Sequence, residues 1–377
     1  MAELILTNAT VFTGTEVLPD TTVRVSEGRI ESVEPTDRNG SGDAAHTIYD
    51  LRGRWLVPGL VDLQLYGGSE QFLNGHPTAG TVRHILDTHR RNGTTTVLPT
   101  LYSTSYDVID KAIRAVREVR AEHPLGVPGL HVEGPYVNPE KRGAHSLSYV
   151  RPPDARELND LLTAGRDVIK ILTIAPEVFT PEQLQWLQRT PFILSAGHTN
   201  ATYRQATEAF DNGIPLATHL YNAMRGFESR EPGTAGAILD HPTVRASIVV
   251  DGFHCDFAAV RLAHRLLGDR LFLISDAIFA NPPRPALDFE DFVIRYHEGR
   301  YTNQEGKLAG SSITLLDAVR NGIRHVGLKP EEALRMASTV PAEIIGLGDQ
   351  LGKIAPGYVA NLVVLDEEWR CREVFAT

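Results

Sequence analysis

Cysteine is scarce in this chain: Cys255 and Cys371 are the only two among 377 residues. Two cysteines cannot build a disulfide framework, so a reducing compartment is expected. Basic residues are also in deficit, with 37 Lys and Arg against 47 Asp and Glu and a formal net charge of −10. A nucleic-acid binder needs a basic face, and the run of the chain offers none, although a few placed Arg and His could still bind a small anion.

Long apolar runs are missing as well. The first twenty residues have no basic segment followed by an apolar core, so they do not form a signal peptide. No uncharged apolar stretch approaches the length of a membrane span. We therefore expect a cytoplasmic protein that binds neither nucleic acid nor membranes.

Short buried-type runs recur through the middle of the chain, and several alternate with helical patterns. They predict strands at 59–64, 94–99, 129–133, 168–174, 192–196, 216–219, 246–251 and 271–276. Ser105 can cap a helix whose apolar positions are spaced by three and four residues, and a second helix is predicted over 81–92. Eight strands alternating with helices predict a (β/α)₈ barrel with its active site at the strand carboxyl ends. A doubly wound sheet is the alternative, but its glycine-rich phosphate fingerprint is missing.

Both ends of the chain carry patterns of antiparallel strands. Alternating residues before and after Ser26-Glu27-Gly28 predict a hairpin, and 39–43 predict a loop tip. Near the other end, strands are predicted at 353–357 and 360–365. We predict that residues 1–56 and 350–377 form one small β-sandwich domain, and that residues 57–349 form the barrel.

Three predicted strands lead to metal-ligand residue types, namely Glu133, His198 and His219. One Glu and two His can hold a catalytic zinc and leave a position open for water. Asp276 ends the eighth predicted strand and is a free acid suited to proton transfer. A single histidine is more often structural than a ligand. In a barrel, however, the polar residues at the ends of six predicted strands, among them Gln64 and Asp251, would meet at one pocket. The pattern therefore predicts a metal-dependent hydrolase.

Other candidate ligands are predicted to be structural. His131 points to the same side of its strand as Glu133 but one layer deeper, which favours a packing role. Lys170 lies in the fourth predicted strand, where some binuclear barrel hydrolases use a modified lysine to bridge two metal ions. Here Glu133 takes that place, so Lys170 is interpreted as structural. Surface imidazoles are predicted for the histidines in loops and helix patterns, which are His76, His84, His89, His123, His241, His264, His297 and His325.

Eight segments in order along the chain carry a family resemblance: Val57–Asp62, His131–Pro135, Gly197–Ala201, Thr218–Met224, Arg230–Gly233, Asp251–His254, Ser275–Ala277 and Leu308–Ser311. With them the chain resembles the N-acetylglucosamine-6-phosphate deacetylase family of the amidohydrolase superfamily, over nearly its whole length. The resemblance implies removal of the acetyl group of N-acetyl-D-glucosamine 6-phosphate, giving glucosamine 6-phosphate and acetate.

The resemblance also implies a cofactor, a partner and residue roles. One divalent metal ion per subunit is expected, zinc first, with Fe²⁺, Co²⁺ or Mn²⁺ as alternatives. The substrate is a small phosphosugar, and the protein is expected to be a homodimer. The implied roles are metal ligation by Glu133, His198 and His219, acid/base catalysis by Asp276, contact with the acetyl carbonyl by His145, and substrate binding by Asn222, Ala223, His254, Leu308 and an Arg230 supplied across the dimer interface.

The chain departs from the family pattern at two places, so alternative functions remain open. Most superfamily members have His-x-His after the first strand, where this chain has Gln64-Leu65-Tyr66. An amide and a phenol are poor zinc ligands, so a second metal site is predicted to be absent. Residues 278–284 lack the small-residue pattern common in the family, so the acyl or sugar preference could differ. The alternatives are another amidohydrolase, acting on a different N-acyl sugar or a cyclic amide, and a metal-binding barrel without catalysis.

Overall fold

The computed structural model describes residues 4–37, 47–280, 284–289 and 292–376. In chain order its strands are β1 (Leu4–Phe12), β2 (Val17–Ser26), β3 (Arg29–Pro35), β4 (Thr47–Asp50), β5 (Trp55–Pro58), β6 (Leu60–Leu65), β7 (Thr94–Leu101), β8 (Leu130–Glu133), β9 (Ile169–Ile174), β10 (Ile193–Ala196), β11 (Leu216–Ala217), β12 (Arg245–Ile248), β13 (Leu271–Leu273), β14 (Ala286–Phe289), β15 (Phe292–His297), β16 (Arg300–Asn303), β17 (Leu362–Leu365) and β18 (Cys371–Phe375). Its α-helices are α1 (Ala79–Arg90), α2 (Tyr106–Glu122), α3 (Ala155–Gly165), α4 (Pro181–Gln188), α5 (Tyr203–Asp211), α6 (Gly233–Asp240), α7 (Phe257–Leu267), α8 (Leu315–Asn321), α9 (Pro330–Ala337) and α10 (Thr339–Ile344).

Strands β6 to β13 form one eight-stranded parallel sheet in sequence order. Its first and last strands meet at a seam, where the Asp276 N–H donates to the Gln64 carbonyl at 3.0 Å and the Tyr66 N–H donates to the Ala277 carbonyl at 2.8 Å. The sheet is therefore a nearly closed barrel, and the eight predicted barrel strands are confirmed. The last three strands end two or three residues before their predicted ends.

The helices follow from capping and apolar spacing. Ser105 caps α2 by accepting a hydrogen bond from the Val108 N–H. Threonines cap α4 and α5 in reciprocal boxes with the glutamine three residues later, which satisfies N–H groups that the first turn leaves unpaired. The predicted helix at 81–92 is found two residues earlier, as α1. The apolar helix faces cover the barrel strands with one large buried cluster.

Both ends of the chain enter a second sheet with the order β18-β17-β5-β1-β2-β3, and β4 also pairs with β1. This sheet has its own apolar cluster, which includes Leu6, Val23, Leu56 and Leu362. The predicted strand at 353–357 is wrong. Pro356 has no N–H to donate to a ladder and Gly357 has a φ of +88°, so the backbone turns there. The predicted loop tip at 39–43 lies outside the described residues.

A small antiparallel sheet, β14-β15-β16, lies between the last barrel strand and α8, where sequence analysis predicted no strands. Its apolar side chains join residues from the barrel mouth in a buried group that we call the aromatic cluster. The members with aromatic rings are Tyr66, Phe72, Tyr102, Phe279, Phe292 and Tyr301. Among the described residues, no helix is both long and apolar enough to cross a membrane.

Candidate active site

The predicted metal ligands meet at the carboxyl end of the barrel. Glu133 is the last residue of β8, whereas His198 and His219 each follow their strand by two residues. Both histidines have left-handed backbones, with φ of +48° and +35°. Such conformations are unfavourable by roughly 1–3 kcal/mol each in non-glycine residues, and they concentrate at functional sites. The strained backbone is what turns each imidazole from the strand end into the barrel mouth.

The spacing of the three ligand atoms suits a divalent metal. Glu133 Oε1 lies 3.2 Å from His198 Nε2 and 3.0 Å from His219 Nε2, and the two Nε2 atoms are 3.0 Å apart. Ligands held about 2.0–2.1 Å from a tetrahedral zinc are separated by roughly 3.3 Å, close to these distances. All three residues are buried. The cluster therefore indicates a divalent metal site.

The second ring nitrogen of His198 supports this arrangement. His198 Nδ1 lies 3.0 Å from the Lys141 carbonyl oxygen, which can only accept a hydrogen bond. Nδ1 must therefore carry the proton, and Nε2 presents its lone pair to the cluster. Burial opposes ionisation of Glu133, but the charge and hydrogen bonds of the surrounding histidines in their protonated form outweigh it and hold the pKa of this carboxyl well below its usual range.

Asp276 faces the same centre from the seam of the barrel. Its backbone is also left-handed, with a φ of +55°, and the residue is buried. Its Oδ1 accepts a hydrogen bond from Gln64 Nε2 at 3.0 Å and lies 3.3 Å from the Tyr66 hydroxyl oxygen. Burial raises the pKa of Asp276 to about 7, while the charge of a nearby histidine, His254, opposes the rise. A carboxyl with this pKa can both accept and return a proton near neutral pH.

His254 joins Asp276 to a second carboxylate. Its Nδ1 lies 2.7 Å from Asp251 Oδ2, and its Nε2 lies 3.6 Å from Asp276 Oδ2. Burial alone would lower the pKa of His254, but the hydrogen bond and charge of Asp251 raise it. The expectation that Asp251 reaches the pocket is wrong. It contacts His254 Nδ1 and orients that ring, and it is not among the described residues that line the cavity.

His145 is held as a hydrogen-bond donor toward Glu133. Its Nδ1 lies 2.7 Å from the Ser103 hydroxyl and accepts from the Ser103 backbone N–H at 3.3 Å. A backbone N–H can only donate, so the ring proton must be on Nε2, which is 3.4 Å from Glu133 Oε2 and has no other partner. Burial lowers the pKa of His145 to about 4, so the ring is neutral. Such an N–H can stabilise an oxygen that gains negative charge.

These groups share one cavity of about 260 Å³. Four residues predicted to bind substrate line it: Asn222, Ala223, His254 and Leu308. Arg230 is exposed and is not among the described residues that line this cavity. The remaining lining consists of Tyr66, Tyr102, Glu133, Gly143, Ala144, His145, His198, His219, Asp276, Lys307, Ala309 and Gly310.

Beneath the cluster lies a polar layer. His131 Nδ1 lies 2.9 Å from the Leu63 carbonyl and Nε2 lies 2.8 Å from the Thr173 hydroxyl, so both ring nitrogens are satisfied away from the site. This agrees with the packing role expected of His131. Two other histidine predictions are wrong: His89 is fully buried, with Nε2 2.9 Å from the Gly67 carbonyl, and His241 is also buried.

Several groups around the cluster were not predicted from the sequence. Gln64 was expected at the pocket, but it and Tyr66 were interpreted only as poor metal ligands, yet both donate hydrogen bonds to Glu133. The signal was available, because a donor-bearing amide and phenol stand where the superfamily has a His pair. Ser103, whose contact with His145 joins residues 42 positions apart, was not identified, and no local pattern marks such a pair. Lys307 on the rim was also missed.

Comparison with known proteins agrees with this geometry. The amidohydrolase family matches residues 55–375. The N-acetylglucosamine-6-phosphate deacetylase of Haemophilus influenzae is 36% identical over 369 residues, covering 97% of this chain and 96% of that protein. The N-acetylgalactosamine-6-phosphate deacetylase of a Shewanella species is 34% identical over 378 residues, covering 99% and 94%.

Two solved structures of the same kind superpose closely. One is N-acetylglucosamine-6-phosphate deacetylase from Pasteurella multocida, with a TM-score of 0.95, 30% identity, and coverage of 99% of this chain and 98% of that one. The other is a variant of the Mycobacterium smegmatis deacetylase in complex with N-acetyl-D-glucosamine-6-phosphate, with a TM-score of 0.90, 30% identity, and coverage of 100% and 98%. The chain belongs to the amidohydrolase family, in the group that contains the N-acetylglucosamine-6-phosphate deacetylases.

Proposed function

We propose that this chain hydrolyses the acetamide bond of N-acetyl-D-glucosamine 6-phosphate to give glucosamine 6-phosphate and acetate. One observation carries the proposal: a buried Glu-His-His cluster, an acid with a pKa of about 7 and a neutral imidazole donor all border one cavity. These groups can supply the activated water, the proton transfers and the stabilisation of negative oxygen that metal-assisted hydrolysis of an amide uses. Relatives with both sugar specificities resemble the chain over more than nine-tenths of its length, which makes the sugar a question for experiment.

We propose one divalent ion per subunit, zinc, held by Glu133, His198 and His219. When bound, such an ion makes water more acidic and polarises a carbonyl oxygen. Gln64 and Tyr66 point hydrogen atoms at Glu133, which supports a single ion because both side chains serve as donors there.

The protein side chains then supply the proton transfers. Asp276, as carboxylate, takes a proton from the attacking water and returns it to the amide nitrogen, which is a poor leaving group unless protonated. His145 Nε2–H donates to the carbonyl oxygen as that oxygen becomes negative. The hydrogen bond from Gln64 and the contact with the Tyr66 hydroxyl hold Asp276 in place during both transfers.

Phosphate recognition is proposed to be shared between two subunits. Asn222, Ala223 and His254 line the cavity, whereas Arg230 is exposed outside it, as a residue that serves a neighbouring subunit would be. Arg offers a planar fork that suits phosphate oxygens. Arg230→Ala should therefore reduce kcat/KM for the phosphorylated sugar far more than for N-acetylglucosamine. Mixing Arg230→Ala and Asp276→Asn subunits should restore some activity, and a fully active monomer would contradict the shared site.

We also propose two domains, with residues 1–56 and 350–377 as a small β-sandwich and residues 57–349 as the catalytic barrel. The separate sheet and apolar cluster of the chain ends support this division. Hydrogen–deuterium exchange should resolve two sets of protected amides that open with different free energies. One common opening free energy for both sets would count against the division.

The function is tested by metal analysis and acetate release on the purified protein. Zinc-loaded protein should contain about one ion per chain and release acetate from N-acetylglucosamine 6-phosphate. N-Acetylgalactosamine 6-phosphate, unphosphorylated N-acetylglucosamine and a cyclic amide serve as comparison substrates. A higher kcat/KM on any comparison substrate would reassign the substrate, and metal binding without turnover of any would favour a non-catalytic barrel.

A further inference from the structure

The hydroxyl of Tyr66 touches both carboxylates of the site. It donates to Glu133 Oε2 at 2.5 Å and lies 3.3 Å from Asp276 Oδ1. Gln64 Nε2 approaches the same hydroxyl at 2.8 Å, and so leaves the phenol proton directed at Glu133. The two oxygens of Glu133 therefore differ. Oε2 accepts from Tyr66 and has His145 Nε2 at 3.4 Å, whereas Oε1 faces the two imidazoles and has Gln64 Nε2 at 2.9 Å.

The ring of Tyr66 cannot easily move. It is 1% exposed and stacks on Tyr102 with ring centroids 3.9 Å apart and an interplanar angle of 5°. Tyr102 in turn packs against Phe72 and Phe292 of the aromatic cluster. Two backbone hydrogen bonds also fix the residue. The Tyr66 N–H donates to the Ala277 carbonyl, and the Leu73 N–H donates to the Tyr66 carbonyl.

We propose that Tyr66 is a positioning residue that sets how Glu133 presents itself to the metal. By engaging Oε2, the phenol restricts the carboxylate to one-oxygen ligation through Oε1 and prevents it from rotating. The inference rests on the proposed metal site. It adds that the small sheet β14–β16, through the aromatic cluster, supports the geometry of that site.

A hydrogen-bond partner behind a metal ligand stabilises the orientation of that ligand. A carboxylate with one free oxygen can rotate about its bond and swing its ligand oxygen away, so a hydrogen bond to the other oxygen keeps the ligand atom aimed. Loss of such an outer partner typically weakens metal binding by about 10–100-fold. A short phenol–carboxylate hydrogen bond in a buried site is at the strong end of this class.

The test compares Tyr66→Phe with Tyr301→Phe, using Co²⁺ as the probe in the full-length protein. Both variants remove one buried hydroxyl from the aromatic cluster and keep the ring. The Tyr301 hydroxyl donates to the Arg284 carbonyl at 2.8 Å. Thermal unfolding of the metal-free proteins checks that both are folded. Co²⁺ affinity is measured by competition with a chelator, and the visible absorption of bound Co²⁺ reports its ligand geometry.

Tyr66→Phe should bind Co²⁺ about 10–100-fold more weakly than wild type and show an altered Co²⁺ spectrum. Tyr301→Phe should match wild type in both measurements, because its hydroxyl is directed away from the carboxylates. Equal affinity and spectra for the two variants would overturn the positioning role. If wild-type protein itself fails to bind Co²⁺, the proposed metal site fails instead, so the two failures are distinguishable.

Discussion

Replacing Asp276 with Asn is the sharpest test of the proposed chemistry, because the substitution changes almost nothing else. The Asn side chain has nearly the same volume, and its amide oxygen can still accept the hydrogen bond that Oδ1 takes from Gln64 and can lie beside the Tyr66 hydroxyl. The amide nitrogen would replace Oδ2, which lies 3.6 Å from His254 Nε2. That nitrogen can donate to Nε2 when the His254 ring is neutral, and at this distance it can stay beside the ring when it is charged, so the fold and the surrounding contacts should survive.

The expected loss follows from the proton transfers alone. General acid–base catalysis by a positioned side chain contributes about 10²–10⁴-fold to the rate. At about 1.36 kcal/mol per factor of ten, this corresponds to roughly 2.7–5.4 kcal/mol of transition-state stabilisation. Asp276 is proposed to act twice, as acceptor and then as donor, so kcat should fall toward the upper end. KM should change little, because the hydrogen-bond acceptor is preserved.

The assay is acetate release from N-acetylglucosamine 6-phosphate, run beside metal analysis of the same preparation. Asp276→Asn should retain its metal, because Asp276 is outside the Glu133, His198 and His219 cluster. A variant that keeps both its metal and near wild-type kcat would show that another group moves the proton. Loss of metal in the variant would instead place Asp276 among the ligands, against the geometry described above.

Three further predictions address neighbouring groups. His254→Asn removes a charge that lowers the pKa of Asp276, so the acidic limb of the kcat/KM profile should move to higher pH; a limb at an unchanged or lower pH would contradict this coupling. Ser103→Ala removes the hydroxyl partner of His145 Nδ1, and kcat should fall about 2–10-fold at nearly constant KM; unchanged kcat would show that the backbone N–H alone orients the ring. Removing the metal by chelation should abolish activity and lower Tm, because a ligand at 100 times its Kd stabilises the folded state by about 2.7 kcal/mol; an unchanged Tm in the metal-free protein would argue against a resident ion.

The arrangement of strands and the identity of the cluster were readable from the sequence. Buried-type runs at regular spacing predict parallel strands because apolar burial and short-range backbone preferences act locally. Glu133 and His219 stand at the ends of predicted strands and His198 stands two residues beyond its predicted strand, and strand carboxyl ends share one face of a barrel. From those two facts the three residues could be expected to meet, and the structure places their ligand atoms within 4.8 Å of one another.

The protonation and aim of these groups depended on tertiary contacts. His145 is a donor at Nε2 because its Nδ1 accepts from the Ser103 backbone N–H. Glu133 Oε2 has a hydrogen-bond donor because Tyr66 follows β6, the first barrel strand, and places its hydroxyl there. Such contacts require two distant segments to be placed to within a few tenths of an ångström. Sequence periodicity says which side of a strand a residue faces, whereas only the closed barrel, packed on the aromatic cluster, determines which donor meets which acceptor.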